Sequence, residues 1–459
     1  MCHIECPTEG SDLTPSDLFY SSFTNMDWDN NHNGRSAELN DYVEISPDII
    51  VTRLPAKTIE ESRNMVDRII SFEKECCMDN WNNSMLLCGV ETFSHITEDG
   101  RMKSDSEIQT DTLFSQDIAQ NWNGNVFRFY DTYTDNALGE DYDVSKDNLQ
   151  SELGKGYSFV FVNAHGGTGS WETETIPFYR NGDASLLQNP HYSFFSTAAC
   201  NTNAFDLSVL CLGETFMQNK NANTMAYYGC SRKSIGSSYI KVLGQDMKFL
   251  GSFYRKLFSN PFNSLGEAVY NSKKDFLAAC NGNNSTRWMY FSLNLLGDSE
   301  TPIYSDIPGF IPNVSITYDG SNIEISHGTE RPLLCLMSKY DEGNSFYYSY
   351  NIPGDMSFEN KTDEYFLCLS KNRYLPTLAI IGNTVHLQNE VLTGKNTVIA
   401  NSVLIGSNVT NLAPIGPTTI ERGVTVVKSH NDVIITKDFE VKKGAEFNVT
   451  ISNNNTINL

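Results

Sequence analysis

The chain has little positive charge for its size. Its 459 residues carry 33 Lys and Arg against 56 Asp and Glu, a formal net charge of −23. A surface that acidic repels phosphate backbones and anionic lipids, so no nucleic-acid partner is expected. Long apolar runs are missing as well. No stretch approaches the roughly 18 residues a helix needs to cross a bilayer, so no transmembrane segment is expected. The opening MCHIECPTEGSDL lacks the basic n-region and apolar h-region of a signal peptide. The chain is therefore either cytoplasmic or has lost its true start. No CxxC pair occurs among the 11 cysteines, which leaves a zinc site or a thioredoxin-like motif without support. Most of these cysteines read as small buried hydrophobes. Cys335 and Cys368 are candidates to bridge two strands of one β-domain.

What is present is an ordinary globular composition, 40% hydrophobic and 19% charged, with aromatics at 12%. The length suits two to four domains. Residues 1–47 read as polar and irregular. A β-branched run from Asp48 to Leu54 reads as a buried strand. Thr58 and Glu61 then form a capping box ahead of a helix whose face carries Met65, Val66, Ile69 and Ile70. Further strands are predicted over Met85–Val90, Val126–Tyr130, Tyr157–Ala164 and Thr224–Gly229. The acidic stretch from Ile96 to Glu107 reads as a loop. Helices are predicted over Leu212–Asn219, from about Tyr239 to Phe258, and from a second capping box at Ser264 and Glu267. Strands alternating with helices to about residue 305 argue for a three-layer α/β fold around a mostly parallel sheet. From Asn313 short alternating runs such as VSITY, IEISH and LLCLM predict a small all-β sandwich. From Asn383 regular strands punctuated by Asn and Gly predict a β-rich module, either a stacked β-coil or a second sandwich, with edges suited to docking or cell-surface attachment.

Two apolar runs stop at chemically capable residues. YSFVFVNAHGG places His165 at the end of a strand, with Gly166 and Gly167 behind it. HYSFFSTAACNTN places Cys200 at the end of another. Ligands bind beyond the carboxyl ends of parallel strands, so neighbouring strands would deliver a thiol and an imidazole to one place. A lone histidine or cysteine is more often structural; the two together point to nucleophilic catalysis. The glycines would let a substrate approach the backbone and offer an N–H to an oxyanion. Trp171 and Trp288 are candidate walls of a substrate cleft, and equally good core aromatics.

HGGTGSW, STAACNTNAFD and CLGETFMQNKNANTMAYYGCSR, flanked by PSDLFYSS, PDIIVTRLPAKTIEESRNMVDRIISFEK and NLLGDSETPIY, resemble blocks of the gingipain-like cysteine peptidases, relatives of the caspases. The match covers roughly residues 14–305, with the blocks in family order. It implies a caspase-like catalytic region in two parts, 1–112 and 113–308. An immunoglobulin-like β-sandwich over 309–382 and the C-terminal β-rich module over 383–459 would follow. His165 matches the family's general base and Cys200 its nucleophile, with the Gly166 and Cys200 N–H groups as oxyanion hole. Glu91 matches the carboxylate that orients the imidazole. Asp105 lies near where arginine-specific members keep a pocket aspartate, and a carboxylate there would select basic side chains. Family members hold calcium in acidic loops, so the resemblance leaves room for a structural calcium although no EF-hand spacing marks a site; no cofactor is required. In the family, further strands, a pro-region and a secretion signal precede the block matching PSDLFYSS, so the first part reads as short. The resemblance implies a secreted or cell-surface cysteine endopeptidase acting on proteins or peptides. The alternatives are a non-catalytic surface adhesion or binding protein on the same fold, and a sortase-like transpeptidase.

Overall fold

The computed structural model describes residues 2–6, 10–23, 27–75, 83–98, 100–131, 144–174, 176–259, 264–304, 308–328, 331–340, 347–349, 352, 354–360, 363–371, 374–452 and 456–458. The chain divides into two compact units. One comprises Met1–Ile69 and Asp79–Ile307, the other Ile70–Met78 and Pro308–Leu459.

The first unit is built on a six-stranded sheet: β1 (Ser84–Gly89), β2 (Asn125–Tyr130), β3 (Phe159–Asn163), β4 (Asn189–Thr197), β5 (Ala222–Cys230) and β6 (Leu293–Gly297). Their spatial order is β6-β5-β4-β3-β1-β2. The first five are mutually parallel, and β6 runs antiparallel to β5. Strands covered on both faces read as unbroken apolar runs, and β3, FVFVN, is buried at every position. Its side chains alternate between two layers, as the pleat requires. Val160 and Val162 join Leu86, Cys88, Phe195 and Tyr227 in one cluster. Phe159 and Phe161 face the helix Gln245–Phe258, with ring centroids 5.0 Å from Phe258 and 6.2 Å from Tyr254. Full burial of each such side chain stabilises the fold by about 1.5–3 kcal/mol.

The capping box at Thr58 and Glu61 forms reciprocally, at 3.1 and 3.2 Å, and starts the helix Ile59–Glu75. Ser264 Oγ accepts the Glu267 N–H at 3.4 Å and caps Leu265–Lys274. Four expectations are corrected. Asp48–Leu54 is not a strand: it lies beside edge strand β6 and makes a single bridge, Arg53 to Leu296. Residues 1–47 include an antiparallel hairpin, Cys2–Cys6 with Gly10–Thr14. The acidic stretch 96–107 is not a loop. It forms a hairpin, His95–Glu98 with Arg101–Ser104, and then opens the helix Asp105–Leu113. The division at 112 falls inside that helix, and strands from both sides of it share one sheet.

From Pro308 onward the second unit is all-β among its described residues. A four-stranded antiparallel sheet orders Met356–Glu359, Asn322–Ser326, Ser315–Tyr318 and Thr456–Asn458. A seven-stranded sheet changes character at Thr377–Leu387, which is antiparallel to Glu364–Ser370 and parallel to Lys395–Ile405. The boundary drawn at 382 therefore cuts a continuous strand. Beyond it Lys395–Ile405, Val424–Ile435 and Glu446–Ile451 stack in parallel. The short strands Val391–Leu392, Thr418–Ile420 and Phe439–Val441 stack beside them. This arrangement is the stacked coil. Cys335 and Cys368 stand directly opposite on antiparallel strands, as free thiols.

Candidate active site

β1, β3 and β4 are neighbours, and all three end at the same edge of the sheet. Reading across, the order β2-β1-β3-β4-β5 reverses its winding between β1 and β3. That reversal is where open α/β sheets open a crevice at their carboxyl ends. β3 continues through Ala164 into His165, β4 through Ala198 and Ala199 into Cys200, and β1 through Val90 into Glu91 and Thr92. The Val90 N–H donates to the Asn163 carbonyl at 3.0 Å and the Ala198 N–H to the Val162 carbonyl at 3.0 Å, so the three exits are held side by side.

His165–Gly167 then pairs with Ser170–Glu172 in a small three-stranded sheet. Gly166 lies hard against Cys200. A Cβ at Gly166 would stand 2.5 Å from the Cys200 carbonyl oxygen, 2.8 Å from Ala199 Cβ and 3.0 Å from the Cys200 nitrogen. Only glycine fits that approach. The structure thus packs the Gly166 backbone, next to His165, against Cys200.

Cys200 as a residue is intermediate in exposure. Its sulfur accepts the Ser234 N–H at 3.3 Å and lies 3.8 Å from the Ser234 carbonyl oxygen. Burial pushes the thiol pKa up, the Ser234 N–H pulls it down, and the Asp246 carboxylate pushes it up again. Asp246 itself is buried. It accepts from Ser234 Oγ at 2.8 Å, and burial raises its carboxyl to about 6.

His165 Nε2 lies 2.7 Å from the Thr92 carbonyl oxygen. A carbonyl can only accept, so Nε2 carries a proton, and the lone pair of the neutral ring is on Nδ1. The Phe93 ring stands edge-on to the imidazole at 5.3 Å. Glu91 does not hold His165. Its carboxylate sits 3.2 Å from His95 Nδ1, and the next residue's carbonyl occupies the orienting position. Asp105 is fully buried and accepts from Thr92 N, Thr92 Oγ1, Phe93 N and Ser106 N at 2.7–3.0 Å. It is neither a pocket-floor acid nor a solvated loop acid.

Trp171 and Trp288 are fully buried and wall no cleft. Trp171 packs among Tyr179, Phe195 and Phe216. Trp288 donates its Nε1–H to the Lys233 carbonyl at 2.7 Å, which supports the loop beneath the thiol. Sequence reasoning passed over Thr92, Ser234 and Asp246. Only Ser104-x-x-Glu107, a capping box ahead of the helix at Asp105, signalled that the region is ordered. It also passed over a hand-type spacing: Asp27, Asp29, Asn31 and Glu38 fall at positions one, three, five and twelve, with His32 at φ 56° where glycine belongs. Its acids are turned to the loop itself. Asp29 accepts the Asn33 and Gly34 N–H groups, and Glu38 the Asn33 amide and Arg35. No three His, Cys, Asp or Glu side chains converge on a metal position among the described residues. The loop as it stands does not gather a calcium donor set.

The family model of peptidase family C25 matches residues 5–304. The chain belongs to that family. It is 23% identical over 279 residues to Lys-gingipain W83 of Porphyromonas gingivalis, across 57% of this chain and 15% of that protein. Lys-gingipain of strain ATCC 33277 is 21% identical over 283 residues, with the same coverage. The chain thus spans about a seventh of the length of the curated relatives it matches. Among solved structures, the Arg-specific cysteine proteinase gingipain R (RGPB) aligns with a TM-score of 0.59 at 14% identity, over 80% of this chain and 79% of that one. The complex of P. gingivalis RgpB pro- and mature domains aligns with the same TM-score at 15% identity, over 81% of this chain and 82% of the other. These two likenesses bear on the fold: an α/β caspase-like core.

Proposed function

We propose that this member of the C25 peptidases is a cysteine endopeptidase with Cys200 as nucleophile and His165 as general base. The close packing of Gly166 on Cys200 at adjoining strand ends carries the reading. Burial keeps the resting Cys200 protonated, so attack requires a proton acceptor. His165 Nδ1 takes the thiol proton as sulfur bonds to the scissile carbonyl. The Gly166 and Cys200 N–H groups meet the oxyanion. The imidazolium then protonates the leaving amine, and the neutral ring activates the water that hydrolyses the thioester. No cofactor enters the mechanism.

Names of the relatives point to Lys or Arg substrates. With Asp105 buried, Glu172 is the acid placed to select them. It is the register partner of His165 and so shares its face of the small sheet, and an oxygen of it stands 2.6 Å from where a Gly167 Cβ would be. Glu172→Gln should lower kcat/KM for Lys and Arg substrates about tenfold and spare neutral ones; equal rates for both classes would remove Glu172 from the account. Secretion or surface attachment through the stacked coil belongs to the same proposal, as does the immunoglobulin-like assignment of the strands after residue 308. The exposed outer strand Glu446–Ile451 is a suitable docking edge.

The deciding experiment treats the full chain, Cys200→Ala and His165→Ala with a thiol-directed probe and a peptide library under reducing conditions. Wild type should label and cleave, and both variants should lose cleavage. A wild-type chain that labels and cleaves nothing would leave the binding-protein reading in its place.

A further inference from the structure

Three contacts meet on the short turn after β1. The Thr92 carbonyl accepts from His165 Nε2 at 2.7 Å, the Phe93 ring stands edge-on to the imidazole at 5.3 Å, and both residues hang on one buried carboxylate. Asp105 Oδ1 accepts the Thr92 N–H at 3.0 Å and the Ser106 N–H at 2.9 Å. Its Oδ2 accepts the Thr92 hydroxyl at 2.7 Å and the Phe93 N–H at 3.0 Å. The Asp105 N–H donates back to the Ser94 carbonyl at 2.9 Å, which closes the turn onto the start of the helix.

The Thr92 carbonyl and the Phe93 N–H belong to the same peptide group. A continuous chain therefore runs from the Asp105 carboxylate, through Phe93 N–H and Thr92 C=O, to the His165 Nε2–H. Hydrogen bonds in series polarise one another, so an anion on the N–H side of a peptide makes its carbonyl a better acceptor. The neighbouring carboxylate, Glu91, faces His95 instead.

We propose that Asp105 is the positioning residue for His165, acting through the Thr92–Phe93 peptide. It fixes the carbonyl that sets the imidazole tautomer, and it anchors the aromatic edge that sets the ring's tilt. It stabilises the imidazolium by a charge one peptide away from the ring. The residue type follows from the donor count. Four donors converge on it, and an ionised carboxylate offers about four acceptor sites and no proton. An asparagine in its place would turn an NH2 group against two of those donors. This inference rests on His165 being the general base.

The test uses the full chain with Asp105→Asn and Asp105→Ala. For each, kcat and KM on a peptide substrate are measured together with thermal melting and the 15N resonances of the His165 ring. A folded Asp105→Asn should lose kcat by about ten- to a hundredfold with KM within about twofold. Its ring resonances should move away from a pure Nε2–H tautomer. A folded Asp105→Asn with wild-type kcat and an unchanged tautomer overturns the inference. If that variant fails to fold, Thr92→Val decides. It deletes only the hydroxyl bond to Oδ2 and should reduce kcat about threefold while mixing the tautomers; wild-type values there overturn the inference equally. His165→Ala and Cys200→Ala separate the two levels. Activity surviving in either would sink the peptidase assignment itself. Both inactive beside fully active Asp105 variants would sink only the role of Asp105.

Discussion

His165 and Cys200 stand on neighbouring strand ends, and each rests on a turn braced by a buried aspartate. The two braces are built differently. Behind His165, four donors converge on Asp105. Behind Cys200, Asp246 receives Ser234 Oγ at 2.8 Å and the Met247 N–H at 2.7 Å, and its carboxyl titrates near 6 because burial outweighs those bonds. A buried charge is tolerated in proportion to the donors that replace its water. His165 is therefore held by a well-satisfied carboxylate, whereas Cys200 sits above one whose ionised form is costly. The costly anion also works against the chemistry, since its field opposes formation of the thiolate.

The largest expected effect probes the corner where the two halves touch. Gly166→Ala drives a methyl group into the Cys200 carbonyl and Ala199 Cβ, neither of which can swing aside. kcat/KM should fall on the order of a hundredfold through misplaced reacting groups. Gly167→Ala meets the end of the Glu172 side chain, held by Ser170 Oγ at 2.6 Å but able to swing aside, and should cost less than about tenfold. Similar losses for both would show that the approach of Gly166 to Cys200 is not what sets the geometry.

Stability should distinguish the two aspartates next. The folded-state pKa of Asp246 is raised from 3.8 to about 6, so between those values the native state holds a proton that the unfolded chain has released. Stability from this group is thus intact below about pH 4, declines as pH rises toward 6, and stays reduced above it, by on the order of 2–3 kcal/mol. Asp246→Asn keeps its oxygen for the Met247 N–H, lets its NH2 donate to the reversible Ser234 hydroxyl, and removes the penalty. Its urea midpoint should exceed wild type at pH 7.5 and match it near pH 4. An Asn variant less stable than wild type at pH 7.5 would mean that the carboxylate is better satisfied than its neighbours indicate.

The strand-end positions of His165 and Cys200 were legible in the sequence. FVFVNAHGG and FFSTAAC announce two buried strands stopping at a histidine and a cysteine, and the sheet places them side by side. The alternation of β3 between two packed layers follows from its apolar run in the same way. What orients the histidine was not legible, because the group is a backbone carbonyl. Every residue has one, so no side-chain pattern marks Thr92, and the adjacent Glu91 drew the assignment. Asp105 was misread for a related reason. In a run of acidic and polar residues its composition says solvent, whereas four local donors make burial favourable. Asp48–Leu54 misled through its β-branched run: it lies along the outer edge of β6, yet only Arg53 bridges the sheet.

The smallest effects concern the thiol itself. After burial and the Ser234 N–H, the charges acting on Cys200 are Asp246 and Glu172, which hold its proton on, and Lys233, which helps release it, with Asp246 the strongest. Only the thiolate is alkylated, so alkylation rate against pH reports this balance. Asp246→Asn should move the iodoacetamide curve of Cys200 to lower pH, and Lys233→Ala should move it to higher pH by a smaller step. Each amounts to roughly two- to threefold in rate at pH 7. The Asp105 variants should leave that curve in place, because their carboxylate acts on the imidazole and not on the sulfur. If Asp105→Asn shifts it as far as Asp246→Asn does, the two braces are coupled through the His165–Cys200 contact, and the separation between them disappears.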